Sequence, residues 1–295
     1  MKVLVVGGSG VIGSKIVKHF IKNNAEVEFT YFKNNATFGK GNFLDITQKD
    51  STIKLITKIN PEIVIHATAL ANVDLCETDP ILANSINVSG TTNVIEGCKM
   101  TKSKLVYIST SAVFDGTKKQ YFEKDLVSPF AQYGITKCKG EKMVEDSGLS
   151  YLILRTDQPY CWIEKWQHTN SVVRVLQTLR SGKILKEIVD WYNTPTYVPD
   201  FVHATEKLLN SNETGIFHVV GPDFLNRYQW AHQVAAVFNL DRTMIEPINS
   251  DSLNLVAKRV NVNLSNQKLL HTTGIKMMNT REGAIDMLNC EPSNA

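Results

Sequence analysis

The chain has 295 residues, 43% hydrophobic and 21% charged, with 32 basic and 29 acidic residues for a net charge of +3. That is an ordinary globular composition, long enough to bury a large core, and it excludes disorder, collagen or coiled coil as a description of the whole. Lysine and glutamate are mixed along the chain without a basic block, so neither a nucleic-acid nor an anionic-membrane partner is required.

The first element is the apolar run Val3 to Val6, which reads as a strand buried on both faces and ends at Gly7-Gly8. Ile12, Ile16, Val17, Phe20 and Ile21 then recur on one face of a helix, stopped by Asn23-Asn24. Glu26 to Tyr31 reads as a strand, Gln48 to Ile59 as a helix ended by Asn60-Pro61, and Glu62 to His66 as another buried strand. Ile81 to Met100 is helical in outline, weakened by Gly90 and Gly97. Lys104 to Ser109 is a strand, Pro129 to Ser147 a helix with Pro129 at its start, and Tyr151 to Leu154 a strand. After Arg155 the alternation weakens, although a helix from Asp200 to Leu209 and a strand from Gly215 to Val220 are expected to return to the main sheet.

Strands alternating with helices imply an α/β fold, a doubly wound parallel (Rossmann) sheet with a smaller helix-rich lobe over the carboxyl ends of its strands. The expected division is 1–157 plus 195–221 for the sheet domain, and 158–194 plus 222–295 for the lobe. Five cysteines without CxxC and scattered histidines without HxxxH argue against a disulfide framework or a metal site, and fit a reducing compartment. No apolar run approaches a membrane span, and the four apolar residues after Lys2 are too few for a signal-peptide core. A cytoplasmic protein is expected.

Gly7, Gly10 and Gly13 form GxxGxxG between the first strand and the first helix, a pattern expected roughly 0.06 times by chance in such a chain. The first glycine makes the tight turn, the second admits a pyrophosphate to the backbone, and the third lets the helix pack on the sheet with phosphate at its N-terminus. Ser9, Val11 and Ile12 complete this dinucleotide-binding turn. Sites that prefer NAD often carry an acid at the end of the second strand. Here Phe29 to Asn34 holds no carboxylate, and Lys33 can meet a 2′-phosphate. NADP(H) is preferred, with NAD(H) as the alternative.

Tyr133 and Lys137 lie four apart on one helix face. Tyr-x-x-x-Lys is expected about once by chance, so its place decides. It opens the helix that follows the strand ending in Ser109-Thr110-Ser111. A phenol near pKa 10 is a usable acid, and an adjacent ammonium is expected to lower its pKa. Tyr133 can then protonate a carbonyl oxygen as hydride reaches the carbon, with Thr110 holding the same oxygen.

With these motifs the chain resembles the extended short-chain dehydrogenases/reductases, and within them the dTDP-4-dehydrorhamnose reductase group. The resemblance runs through Leu44-Asp45-Ile46, His66-Ala67-Thr68-Ala69, Val73 to Glu77, Ile86-Asn87-Val88, Ser109 to Gly116, Tyr133 to Glu141, Leu154-Arg155-Thr156, Asp190 to Thr196 and Lys258-Arg259. It implies an NADP(H)-dependent reductase of a nucleotide-linked 4-keto-6-deoxy sugar. Asp45 and Ile46 would line the adenine pocket, and Ala67, Thr68 and Ala69 would contact the middle of the cofactor. Thr110, Tyr133 and Lys137 would be catalytic, with Tyr133 and Lys137 also touching the cofactor. Ser111, Gln158 and Arg259 would meet the substrate, and Asn87 would be the family's supporting asparagine or a helix kink. No metal ligand set is read, and a homodimer is compatible with the family.

Three departures stand out. Ser111 replaces the group's usual Asp, Asp157 to Tyr160 replaces a stretch with Trp, and Arg259-Val260 replaces Arg-Pro. Ser111-Ala112 also lacks the Asp-Glu pair of sugar dehydratases, and Ala112 stands where epimerase/reductases carry Cys. Two alternatives remain: a nucleotide-sugar epimerase/reductase, and a non-catalytic NADP-binding subunit like the regulatory subunit of methionine adenosyltransferase, which the chain also resembles.

Overall fold

The computed structural model describes residues 1–292; residues 293–295, placed by the sequence at the end of the lobe, lie outside the described residues. The first half runs β1 (Lys2–Val6), α1 (Val11–Lys22), β2 (Glu26–Tyr31), β3 (Lys40–Phe43), α2 (Lys49–Ile59), β4 (Ile63–His66), α3 (Val73–Thr78), α4 (Pro80–Asn84), α5 (Gly90–Thr101), β5 (Lys104–Thr110), α6 (Gln132–Glu145) and β6 (Tyr151–Thr156). The second half adds β7 (Pro159–Tyr160), α7 (Ser171–Arg180), β8 (Leu185–Ile188), β9 (Tyr192–Asn193), β10 (Thr196–Tyr197), α8 (Val198–Asn210), β11 (Gly215–His218), β12 (Leu225–Asn226), α9 (Arg227–Val237), β13 (Ile245–Ile248), α10 (Gln267–Thr273) and α11 (Thr280–Asn289).

Seven strands form one parallel sheet in the order β11-β6-β5-β4-β1-β2-β3. The apolar runs work as expected of strands buried on both faces. Val3 and Val5 enter the core shared with α1 and α8, while Leu4 and Val6 enter the core shared with α2 and α5. Val106 and Ile108 of β5 likewise face the first core, and Leu105 and Tyr107 the second. Each such side chain, fully buried, contributes about 1.5–3 kcal/mol relative to exposure. The chain reverses its winding between β1 and β4, so the open crevice lies beyond Val6, His66 and Thr110, at the carboxyl ends.

Several boundaries depart from the sequence reading. Lys40–Phe43 carries no apolar alternation, yet it is an edge strand because Glu28 on β2 accepts from Lys40 Nζ at 2.7 Å and Asn42 Nδ2 at 3.0 Å. The segment from Ile81 to Met100 is helical throughout but contains a π-helical turn, Ser85–Ser89. Its glycines serve packing: a Cβ at Gly90 or Gly97 would stand 2.6 Å from the Cδ1 of Ile46 or of Ile56. The helix expected from Pro129 starts only at Gln132. Ser128 N–H donates to Val113 O (2.9 Å), which holds the preceding stretch non-helical, and Gln132 N–H donates to the Glu77 carboxylate (2.9 Å), an acid well placed at a helix N-terminus.

The lobe is built from α7, α9 and α11 with two short pairs, parallel β8–β13 and antiparallel β9–β12. Among the described residues, no helix is long and apolar enough to cross a membrane.

Candidate active site

The glycine turn is shaped by what cannot fit there. Gly7 has φ +88°, and a Cβ on it would lie 2.5 Å from Thr68 Oγ1 and 2.9 Å from Thr68 N. A Cβ on Gly13 would lie 3.0 Å from both the Gly7 carbonyl carbon and Gly8 Cα. Gly7 N–H donates to Thr30 Oγ1 (3.0 Å) and Gly10 N–H to Gly7 O (3.1 Å), closing the turn. Gly10 is the N-cap of α1 and supplies no side-chain acceptor, so Val11, Ile12 and Gly13 begin a helix whose first amides are open to an anion.

A contact with no signal in the sequence holds this turn from the lobe. Trp166 Nε1 (3.1 Å) and Gln167 Nε2 (2.9 Å) both donate to Ser9 O, and Gln167 Nε2 also reaches Ser14 Oγ at 3.0 Å. Lys18 of α1 pairs with Glu164 of the same segment. Trp166 and Gln167 thus fix the Ser9 carbonyl.

Beyond the turn lies a cavity of about 340 Å³. It brings together Ile12, Ala67, Ala69, Thr110, Ser111, Tyr133, Lys137, Gln158 and Arg259 from distant parts of the chain. The remaining expected cofactor residues lie outside its lining. Gly7, Ser9, Gly10, Val11 and Gly13 form the turn, and Thr68 packs on Gly7. Asp45 accepts from Thr47 N (3.0 Å) and Thr47 Oγ1 (2.7 Å), and Ile46 is buried beside Gly90. Lys33 is exposed after β2.

The Thr110 side chain caps the turn after β5 by accepting from Ala112 N (3.2 Å), and it lines the cavity together with the half-buried Tyr133. Lys137, 2% exposed, donates to Ile108 O at 2.7 Å, and its Nζ lies 3.8 Å from the Tyr107 ring centroid. The lowering of the tyrosine expected from this lysine does not occur. Burial pushes the Tyr133 hydroxyl up to about 12, against the opposing effect of the Thr110 hydroxyl. Burial also brings Lys137 down to about 7, with Glu141 opposing. Tyr133 is therefore held as a protonated donor.

Asn87 sits in the π turn, the place of the helix kink. Its Oδ1 accepts from Leu70 N (2.7 Å), and its Nδ2 donates to Leu70 O (3.2 Å) and to Thr136 Oγ1 (3.0 Å), so it ties the loop after β4 to the residue before Lys137. Glu141 and Arg155, three percent exposed or less, form a bidentate pair at 2.9 and 2.7 Å that fixes α6 to β6.

Arg259 both lines the cavity and donates to Asp74 Oδ2 at 2.8 Å. Gln158 lines it too, but its Oε1 already accepts from Arg227 Nη2 at 2.5 Å, and its φ of +40° is unusual for a side-chain-bearing residue. Asp157, at the carboxyl end of β6, and Asn193 also line the cavity. Both lie in stretches that the sequence singles out, Asp157 to Tyr160 and Asp190 to Thr196, without either being assigned to the site. Among the described residues, no group of three or more His, Cys, Asp or Glu side chains could hold a metal ion.

Residues 1–291 match the family model described as the RmlD substrate binding domain. The chain is 31% identical over 281 residues to methionine adenosyltransferase 2 subunit beta of Pongo abelii, covering 93% of this chain and 83% of that protein. It is 29% identical over 238 residues to dTDP-4-dehydrorhamnose reductase of Aggregatibacter actinomycetemcomitans, covering 78% and 76%. The structure of a dTDP-4-dehydrorhamnose reductase from Bacillus anthracis in complex with NADP superposes with a TM-score of 0.87 at 25% identity, over 98% of this chain and 99% of that one.

Proposed function

The chain belongs to the family of the RmlD substrate binding domain, with the extended short-chain dehydrogenase/reductase fold, and from that premise we propose that it is a reductase of a nucleotide-linked 4-keto-6-deoxy sugar that uses NADP(H) in preference to NAD(H). The observation that carries this reading is the single cavity that joins the first turn of α1 to Thr110, Tyr133 and Lys137. The residues present fit a dinucleotide: a Cβ would fill the turn at Gly7 and Gly13, and Gly10 leaves the helix amides uncapped. Gly7, Ser9, Gly10, Val11, Ile12 and Gly13 would hold the pyrophosphate, Asp45 and Ile46 the adenine, Ala67, Thr68 and Ala69 the middle, and Lys33 a 2′-phosphate. When bound, the reduced cofactor supplies the hydride.

The chain's own residues handle the proton. Tyr133, kept protonated by burial, donates to the oxygen that becomes the C4 hydroxyl. Thr110, on the same lining as Tyr133, orients that oxygen. Lys137 is fixed by Ile108 O on the same wall and would stabilise the phenolate once the proton has left. Ser111, Gln158 and Arg259 would contact the substrate, and the sheet domain and lobe divide as the sequence reading places them.

NADPH oxidation with a panel of nucleotide-linked 4-keto-6-deoxy sugars tests the reading. We expect turnover with one of them and a loss of about 100-fold or more in kcat for Tyr133→Phe; turnover unchanged by that substitution overturns it.

The extent of the match to methionine adenosyltransferase subunit beta supports a second reading, a cofactor-binding partner without turnover. Stable association with a methionine adenosyltransferase catalytic subunit, without reduction of any sugar in the panel, would favour it.

A further inference from the structure

The reacting end of the cavity carries an acceptor cluster outside the Thr110–Tyr133–Lys137 set. Asp157 is 5% exposed and lines the cavity. Its Oδ2 accepts from Thr194 N at 2.8 Å and from Thr194 Oγ1 at 3.4 Å, and Ser111 lines the same cavity. A carboxylate has about four acceptor sites, so the two donors in place leave room for more. Asn193, 4% exposed and on the same lining, has a side-chain oxygen with no hydrogen-bond partner. Leaving such an acceptor buried and unpaired is costly.

Both groups therefore have acceptor capacity that the protein does not use. Thr156, the residue before Asp157, pairs with Thr110 across β5 and β6, and Asp157, Thr110 and Tyr133 line one cavity, which places the cluster at the reacting end. Of the cations on the lining, Lys137 is held by Ile108 O, and Lys258 and Arg259 belong to a different segment of the wall.

We infer that Asp157, with Asn193, determines specificity by accepting hydrogen bonds from hydroxyl groups of the sugar ring next to the reacting carbon, so that the substrate is a neutral, hydroxylated ring and neither a deoxygenated nor an anionic one. This inference rests on the reductase reading of the same cavity.

The test compares a thymidine-diphosphate-linked 4-keto-6-deoxyhexose with its counterpart lacking the adjacent ring hydroxyl. Binding is measured by calorimetry on protein saturated with NADP⁺, and turnover is measured separately with NADPH. The variant is Asp157→Asn, which keeps an oxygen for Thr194 N–H but replaces one acceptor by a donor. Wild type should bind the hydroxylated sugar about 10- to 100-fold more tightly, as a hydrogen bond to a charged group provides. In the variant that preference should shrink to about threefold or less, with the thermal midpoint and circular dichroism unchanged. A purely structural aspartate would alter folding or both affinities together, not their ratio.

Equal binding of the two sugars by wild type, or an undiminished ratio in the variant, overturns the inference. Discrimination in binding without turnover of either sugar would overturn the reductase reading alone. Turnover without discrimination would overturn this inference alone, and failure of wild type to bind either sugar would overturn both.

Discussion

Gly134 separates Tyr133 from Lys137 and sits where α6 touches the turn after β5. A Cβ placed there would lie 3.0 Å from the Ala112 carbonyl carbon, closer still to its oxygen, and 3.1 Å from Pro129 Cβ. Ordinary carbon contacts are about 3.5–4.0 Å, and the obstacle is backbone, so Gly134→Ala must shift α6 away from Thr110 and Ala112 by roughly 1 Å. A misplacement of that size can cost about 100-fold in rate, or about 2.7 kcal/mol. The stability effect is smaller. Overpacking costs about 1–3 kcal/mol, while replacing a helical glycine by alanine returns about 1 kcal/mol. For 295 residues the net lowers Tm by no more than about 3 °C. Steady-state NADPH oxidation, calorimetric melting and NADPH titration separate these effects. We expect kcat to collapse while fold and cofactor affinity persist. A variant with kcat within about threefold of wild type refutes the claim that this contact sets the Tyr133–Thr110 geometry.

Gln167→Ala removes bonds to Ser9 O and Ser14 Oγ, each worth about 1 kcal/mol net, and should weaken NADPH binding about tenfold by fluorescence titration; an unchanged Kd would show that the lobe does not set the phosphate turn. Lys137 provides a pH test. Its pKa is about 7 in the folded chain against an ordinary 10.5, so between those values the unfolded chain binds the extra proton and stability rises with pH. The buried charge is most costly below pH 7, and the cost is relieved as pH rises towards 10.5. Urea midpoints of wild type and Lys137→Met, taken near pH 6.5 and pH 9.5 (on the order of half a unit below the folded and one below the unfolded value), should show wild type gaining relative to the variant at the higher pH; parallel curves would reject the depressed lysine.

The sequence by itself determined the β–α alternation, because runs such as Val3–Val6 and Leu105–Ile108 place successive side chains on opposite faces of a sheet covered by helices on both sides. It also determined the glycine turn and the Tyr133–Lys137 pair, since both are local spacings with a local physical reason. Tertiary structure alone decided the rest. Lys40–Phe43 became a strand only because Glu28 across the sheet takes its polar side chains. The start of α6 at Gln132 was set by Glu77, fifty-five residues away. The protonation of Tyr133 and Lys137 departs from the sequence expectation, because burial dominates both groups and lies outside what spacing encodes. Gln158, expected to meet the substrate, lines the cavity while also accepting from Arg227, and its neighbour Asp157 lines the same wall. Asn193 and Gln167 reach their places through packing of the lobe on the sheet, a juxtaposition of residues more than a hundred positions from the turn they serve or tens from the carboxylate they flank. Local patterns fix backbone conformation because their interactions are short in sequence; the polarity of a cavity depends on which distant walls meet, and that is settled only when the core has closed.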